Sequence, residues 1–193
     1  MTILPEVRCA IVSAMRRWRT ERFETLFDSP LFRLDRHHLE FEGARRQALV
    51  LEAPAWVNVI PLFPDGRVLL VRQWRFGIAA PTLEIPGGMV DPGEDEATAA
   101  ARELLEETGY RATEWKRIGE VHPNPAFIRN VCGSWVATGL DRMGEPLGDG
   151  EEELEVETAP LAEIPELIAR GEISHALVIA AFYHLELARR VDG

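Results

Sequence analysis

Three glutamates that lie close together in one segment are the clearest chemical signal in this 193-residue chain. Glu103, Glu106 and Glu107 are three and four positions apart, so they share one side of a helix that we predict over 94–108. Like charges at these spacings cost a helix about 0.2–0.5 kcal/mol for each pair. A divalent cation would remove that cost, and this density of oxygen ligands suits Mg²⁺ or Mn²⁺. The alternative is a solvated face without a metal, as most runs of charge are.

The segment that carries these glutamates has its own start and stop signals. Asp91 is a candidate N-cap, with Pro92 at the first helical position and Glu94 three residues after the cap. Gly109 supplies the C-terminal stop. At about 100° for each residue, one side of the helix collects small and apolar residues, and we expect it to be buried. These are Ala97, Ala100, Ala101, Leu104, Leu105 and Thr108.

The elements around this helix alternate between strand and helix patterns. Two apolar, β-branched runs flank the turn Pro64-Asp65-Gly66, and a short extended stretch precedes the glycines at 87 and 88. Further strands are predicted at 115–121, 132–138 and 154–158, and helices at 165–170 and 174–190. These elements make up the second section of the chain, residues 53–193.

Residues 1–52 form a separate, β-rich section. Phe32–Phe41 and Arg45–Leu51 each read as a strand, and Gly43 joins them in a hairpin with a longer loop. The large apolar residues before the hairpin have little local core to enter, so they pack either on the main domain or on a second subunit. They are Trp18, Phe23 and Phe27.

Charge and cysteine content exclude several classes of partner. Acidic residues outnumber basic ones by 32 to 21, which gives a net charge of −11 and argues against a nucleic-acid binder or a protein of anionic membranes. Cys9 and Cys132 form no zinc motif, and no apolar run approaches the ~20 residues that span a bilayer. We expect a cytoplasmic protein with a small-molecule substrate.

A longer pattern of fixed spacing surrounds the glutamates. It consists of Gly88, five residues, Glu94, seven residues and then Arg102-Glu103-Leu104-Leu105-Glu106-Glu107-Thr108-Gly109-Tyr110. This resembles the Nudix box, G-x5-E-x7-R-E-U-x-E-E-x-G-U with U a bulky apolar residue, and Tyr110 is a mild variant at the last position. The resemblance implies a Nudix fold, an α/β/α sandwich around a mixed sheet, with the N-terminal section added to it.

The resemblance also implies an activity and roles for the residues of the box. Members of the family hydrolyse a nucleoside diphosphate linked to another moiety, and they depend on Mg²⁺ or Mn²⁺. By matching positions, the metal ligands would be the carboxylates of Glu103, Glu106 and Glu107 and the backbone carbonyl of Gly87. Arg102 would be a catalytic residue that forms a supporting ion pair with Glu94. Glu106 would be both a catalytic residue and a metal ligand.

Accessory motifs are similar to one branch of the family, the ADP-ribose and nucleotide-sugar pyrophosphatases. They are Val71-Arg72-Gln73-Trp74-Arg75, Leu83-Glu84-Ile85-Pro86-Gly87-Gly88, Asp91-Pro92-Gly93-Glu94 and Pro125. This similarity implies cleavage of ADP-ribose or a related nucleotide sugar to a nucleoside monophosphate and a sugar phosphate. It also implies a homodimer that forms through the N-terminal strand region.

The same branch assigns residues to substrate binding. Arg75 matches a position that contacts the diphosphate, and Met89 matches a backbone contact to substrate. Arg72 either adds positive charge to the site or pairs with an acid on a neighbouring strand. Trp74 lies either in the core, which we favour, or against the base of the substrate.

One position departs from the pattern of the branch. Asn130 stands where many relatives have a glutamate, and an amide cannot act as a general base. The base is then expected in the acidic run 151–155, with Glu152 first by alignment, although this run could equally be a solvated loop. Asn130 is in turn expected to touch the substrate. His175, at the start of the predicted last helix, either caps that helix, which we favour, or lies near the substrate.

Two other functions remain compatible with the sequence. The first keeps the fold and the metals but changes the substrate to a dinucleoside polyphosphate or a coenzyme-type diphosphate. The second is a sensor that binds nucleotide sugars without turnover, for which Asn130 is the support and the intact set of glutamates is the counter-argument.

Overall fold

The structure is a computed structural model that describes residues 17–146 and 154–192. The described residues form eleven strands and three α-helices. They divide into two compact units, residues 1–52 and residues 53–193. No helix in the described part of the chain has both the length and the apolar character needed to cross a membrane.

The first unit contains a meander of three antiparallel strands. β1 (Arg19–Asp28) pairs with β2 (Arg33–Phe41), and β2 pairs with β3 (Ala44–Glu52). The two strands predicted from the sequence correspond to β2 and β3. β1 was not predicted, because it carries charged residues at many positions and every one of its residues is exposed.

The turn between β2 and β3 corrects one expectation. Phe41 pairs directly with Ala44, so only Glu42 and Gly43 form the turn, and the predicted longer loop is wrong. Both turn residues have positive φ, 49° and 81°, as the tightest hairpin turns require. The sequence does not predict this turn because position 42 is a glutamate, whereas asparagine or aspartate is the usual residue before the glycine.

The second unit contains two sheets. The first has the order β7-β4-β10-β8, and it is mixed because β4 and β10 are parallel while the other pairs are antiparallel. The second has the order β11-β5-β6 and is antiparallel. Their strands are β4 (Trp56–Pro61), β5 (Arg67–Arg75), β6 (Ala80–Glu84), β7 (Gly87–Met89), β8 (Tyr110–Val121), β10 (Cys132–Arg142) and β11 (Leu154–Pro160). A short strand, β9 (Ile128–Arg129), lies in the loop before β10.

Helices cover both sides of this unit. Val57 and Val59 of β4 are buried in a cluster with residues of α1 (Glu96–Thr108). Ile60, next along β4, belongs to a second cluster with residues of α2 (Ile164–Ala169) and α3 (Ala176–Asp192). Alternate side chains of one strand therefore enter cores on opposite sides, as the predicted α/β/α sandwich requires.

Helix α1 begins later than its sequence signals indicate. Its N-cap is Asp95, whose carboxylate accepts a hydrogen bond from the Thr98 amide at 2.8 Å, so the predicted cap at Asp91 is wrong. Gly93 has a φ of +87°, which keeps the Asp91–Glu94 segment in a turn instead of a helix. The end of the helix is as predicted, with Gly109 in the left-handed conformation.

The buried face of α1 also differs in part from the expected one. Ala97 and Ala101 are exposed, whereas Ala99, Ala100 and Leu104 are buried. The core-facing stripe is therefore rotated toward Ala99, and it includes the carboxylate-bearing Glu107.

Candidate active site

Arg102 connects most of the carboxylates of the box. Its Nε and Nη2 donate to the two carboxylate oxygens of Glu94 at 3.1 and 3.0 Å. Its Nη1 donates to Glu103 at 2.8 Å and to Glu106 at 3.2 Å. The remaining contact of Nη2, to the Met89 carbonyl at 2.9 Å, ties the helix to β7. One guanidinium thus fixes the loop and two of the predicted metal ligands together.

The two glycines of β7 bring the backbone against the other carboxylates. The Gly87 amide donates to Glu107 at 3.0 Å. A Cβ placed on Gly88 would lie 2.3 Å from Oε1 of Glu103, so position 88 has no room for a side chain while Glu103 keeps its place. The structure therefore brings Gly87, Glu103, Glu106 and Glu107 to one end of α1.

Burial sets the electrostatics of this cluster. The side chain of Glu103 is 12% exposed, and burial raises its pKa, with the nearby Glu106 adding to the effect and Arg102 opposing it. Glu107 is also buried, at 8% exposed. Concentrated, partly desolvated carboxylates of this kind are stabilised by a cation in addition to Arg102.

The donor set fits a divalent metal ion. Three carboxylates and a backbone segment without side chains offer hard oxygen ligands, which are the ligands of Mg²⁺ and Mn²⁺. The absence of a Cβ at 88 keeps the approach to Glu103 open.

A second polar network lies at the end of β6, around Glu84. Arg75 of β5 donates to both oxygens of Glu84, from Nε and Nη2, each at 2.8 Å. The ring of His175 lies 2.7 Å from Glu84 through Nδ1, and the Thr82 hydroxyl donates to Glu84 at 2.5 Å. Burial alone would raise the pKa of Glu84, but the bonds from Arg75, His175 and Thr82 outweigh it and hold the pKa well below its ordinary value.

Comparison with known proteins identifies the family. A family model described as NUDIX domain matches residues 53–182, which is more than half of the chain. The chain belongs to the Nudix family. This confirms the resemblance stated for the box, and with it the prediction of a Nudix hydrolase.

Similar proteins indicate the branch of the Nudix family. The chain is 31% identical over 162 residues to an ADP-ribose pyrophosphatase of Mycobacterium tuberculosis, covering 81% of this chain and 77% of that protein. It is 27% identical over 152 residues to an ADP-ribose pyrophosphatase of Bacillus subtilis, covering 78% and 82%. A crystal structure of an ADP compounds hydrolase superposes with a TM-score of 0.81 at 26% identity, covering 93% and 98%. The predicted Nudix fold is confirmed.

Two predicted substrate residues of the Nudix site have partners within the protein. Arg72 donates to Glu157 of β11 at 2.5 and 3.3 Å, so of the two readings of Arg72, the structure shows the pairing with an acid on a neighbouring strand. The Met89 carbonyl accepts from Arg102 and is engaged in the loop.

Trp74 is 51% exposed, so the expectation that it lies in the core is wrong. It alternates with the buried Gln73 and therefore points away from the core.

The position that departs from the branch pattern is enclosed. Asn130 is buried, and its Nδ2 donates to the Pro54 carbonyl at 3.3 Å, while its Oδ1 is buried with no hydrogen-bond partner. This bond links the segment before β10 to Pro54, at the start of the second unit. Glu152, the candidate base, lies outside the described residues 17–146 and 154–192.

The sequence analysis missed Glu84 as a residue of the site. It assigned Glu84 only to an accessory motif and gave it no role. A signal was present, because Glu84 interrupts the apolar run Leu83-Glu84-Ile85 of a strand that the structure buries. An acid in a buried strand requires partners, and one of them, His175, is 91 residues away in the chain.

Proposed function

We propose that this Nudix enzyme hydrolyses the diphosphate bond of ADP-ribose or a related nucleoside diphosphate sugar, releasing a nucleoside monophosphate and a sugar phosphate. The observation that carries the proposal is the packing of Gly87 and Gly88 against the glutamates of α1, with Arg102 holding Glu103 and Glu106. The names of the similar proteins, ADP-ribose pyrophosphatase and ADP compounds hydrolase, support this class of substrate.

The proposed metal is Mg²⁺, with Mn²⁺ as the alternative. Glu103, Glu106, Glu107 and the Gly87 carbonyl would hold it. When bound, such an ion neutralises the charge of a diphosphate and lowers the pKa of water. Arg102 keeps two of the glutamates in place, and the Gly87 amide orients the third through its bond to Glu107.

Arg75 is the proposed contact to the substrate diphosphate. Its planar fork matches the geometry of phosphate oxygens, and the side chain is 38% exposed, so a ligand can reach it. Its strand is followed, through β6, by the glycine segment of the metal site. Asn130 and the Met89 backbone are further proposed contacts to the substrate.

The proposed general base is Glu152. Asn130 cannot take this role because an amide does not accept a proton at neutral pH. The strand that follows the acidic run, β11, pairs with β5, whose last residue is Arg75. This pairing supports a base near the proposed diphosphate site.

We propose that the functional form is a homodimer that uses the N-terminal unit. Large apolar side chains are exposed there, including Phe23 at 55%, Phe27 at 52% and Leu31 at 61%. A second copy of the chain would cover such a surface, which is unusual for a monomer.

The protein is proposed to act in the cytoplasm, without nucleic-acid or membrane partners. The net charge of −11 opposes binding to phosphate-rich surfaces. Burial raises the pKa of the Cys132 thiol to about 12, which makes it unreactive and unsuited to redox chemistry.

The proposal is tested by product analysis on a substrate panel. Purified protein is incubated with ADP-ribose, GDP-mannose, ADP-glucose and a dinucleoside polyphosphate, each with Mg²⁺ and with chelator, and products are identified by mass spectrometry. GDP-mannose is included because similar proteins carry the name GDP-mannose pyrophosphatase. We expect ADP-ribose to be cleaved fastest, to AMP and ribose 5-phosphate. Preference for the dinucleoside polyphosphate would contradict the proposed substrate class.

A further inference from the structure

Glu84 is a buried carboxylate that the fold surrounds with donors. It is 2% exposed, and its two oxygens receive bonds from Arg75, Thr82 and His175. Arg75 and Thr82 lie on the paired strands β5 and β6, whereas His175 precedes α3. Three elements therefore converge on one carboxylate at the end of β6.

Burial of this carboxylate has a free-energy cost that a purely structural residue at position 84 could avoid. Burying a carboxylate is unfavourable unless it is paired and hydrogen-bonded, and an apolar residue often serves stability equally well. Leu83 and Ile85, on either side of Glu84, belong to the apolar core, whereas Thr82 and Glu84 are buried polar residues of the same segment. The charge at position 84 thus has a use other than packing.

The geometry of Arg75 indicates that use. Glu84 takes the Nε and Nη2 edge of the guanidinium in two parallel bonds, which fixes the plane of the group and turns the Nη1 side away from Glu84. The Arg75 side chain remains 38% exposed, whereas Glu84 is almost fully buried. Glu84 thus holds the guanidinium from the buried side, while part of the Arg75 side chain stays exposed.

The network is also close to the metal site along the chain. Glu84 precedes Gly87 by three residues, so their Cα atoms are separated by at most about 11 Å. Arg75, which Glu84 holds, is therefore tied to a residue next to the glycine segment of the proposed metal site.

We propose that Glu84 is a positioning residue, which acts through Arg75 by orienting its guanidinium toward the substrate diphosphate. Thr82 and His175 hold Glu84 in turn. This inference rests on the proposed function, because it takes Arg75 as the diphosphate contact. It predicts an effect on substrate affinity that disappears when Arg75 is absent.

The experiment is a double-mutant cycle on ADP-ribose hydrolysis with saturating Mg²⁺. Glu84→Gln and Arg75→Gln are made singly and together, and kcat, KM and the thermal midpoint are measured for each. We expect each single variant to raise KM by about tenfold, with a smaller change in kcat, and the double variant to resemble Arg75→Gln alone. Thr138→Val is the matched control, since it removes a threonine hydroxyl that donates to the exposed carboxylate of Glu114, outside the Glu84 network, and we expect a KM change of less than about threefold.

Two results would overturn the inference. The first is a lower thermal midpoint for Glu84→Gln with an unchanged KM, as a simple brace would give. The second is an effect of Glu84→Gln on KM that persists at full size in the Arg75→Gln background. If Glu84→Gln does not fold, His175→Ala replaces it in the cycle, because that side chain is 35% exposed and its loss leaves the strand core intact.

Failure of the proposed function gives a different pattern. A wild-type protein that cleaves no nucleotide sugar overturns both the function and the inference. An active wild type with an unchanged KM for Arg75→Gln removes Arg75 from the diphosphate site, and the inference with it. An active wild type with additive effects overturns the inference alone.

Discussion

At the scale of single residues, the site depends on how closely Gly88 approaches Glu103. A methyl group at position 88 would lie 2.3 Å from Oε1 of Glu103, and the flexible end of that side chain would have to move. We expect Gly88→Ala to lower kcat/KM by at least about tenfold, because a displaced ligand weakens the metal site, while the fold is retained. Steady-state kinetics with circular dichroism measure both effects.

The control for this prediction is Gly144→Ala. A Cβ there meets open space, and the backbone does not need a positive φ. Equal loss of activity in both variants would show that the effect of Gly88→Ala is not specific to Glu103.

Glu84 also determines part of the pH dependence of stability. Its pKa is lowered in the folded protein, so its contribution to stability is present above the ordinary pKa of a glutamate and is lost as the pH falls. Between about pH 6 and about pH 3, we expect the free energy of unfolding to fall more steeply for the wild type than for Glu84→Gln. Urea denaturation at a series of pH values measures the difference, and parallel curves would contradict it.

At the scale of elements, helix α1 places the glutamates, and its first turn depends on Asp95. The Asp95 carboxylate accepts from the Thr98 amide, so we expect Asp95→Ala to lower the thermal midpoint by about 2–4 °C. Asp91→Ala is the matched control, since Asp91 is the cap that the sequence predicts but the structure does not use. We expect the thermal midpoint to change by less than about 1 °C for Asp91→Ala. A larger decrease for Asp91→Ala than for Asp95→Ala would show that Asp91 is the N-cap.

Sequence patterns predicted most of the strands and helices. They failed where contacts between distant residues determine the structure. The strands around Pro64-Asp65-Gly66 and the end of α1 at Gly109 follow from local turn and cap chemistry. The start of α1 was misplaced because two aspartates four residues apart both have suitable neighbours, and only the turn at Gly93 excludes the first.

The same limit applies to the site. The spacing of the box gave the glutamates and Arg102, because these residues share one helix and its preceding loop. The partners of Arg72 and Arg75 depend on how β5 pairs with β11 and β6, which no local pattern encodes. Glu84 escaped notice for this reason.

At the scale of the whole molecule, the exposed apolar side chains of the N-terminal unit are the basis of the proposed homodimer. In a homodimer, Phe27→Glu would place a charge in the interface. We expect this variant to be monomeric by light scattering, because a charge buried in an apolar interface opposes association. Ala97→Glu, which adds the same charge at an exposed position of α1, is the control and should remain dimeric. A monomeric wild type would contradict the proposal.

In the proposed function, the glutamates of α1 support metal-dependent cleavage of a nucleotide sugar. The most direct measurement is the rate of AMP formation from ADP-ribose as a function of Mg²⁺ concentration, for the wild type, Glu107→Gln and the control Glu186→Gln. We expect Mg²⁺-dependent AMP release by the wild type and by Glu186→Gln, and a rate at least about a hundredfold lower for Glu107→Gln. AMP release without Mg²⁺, or a wild-type rate from Glu107→Gln, would contradict the claim.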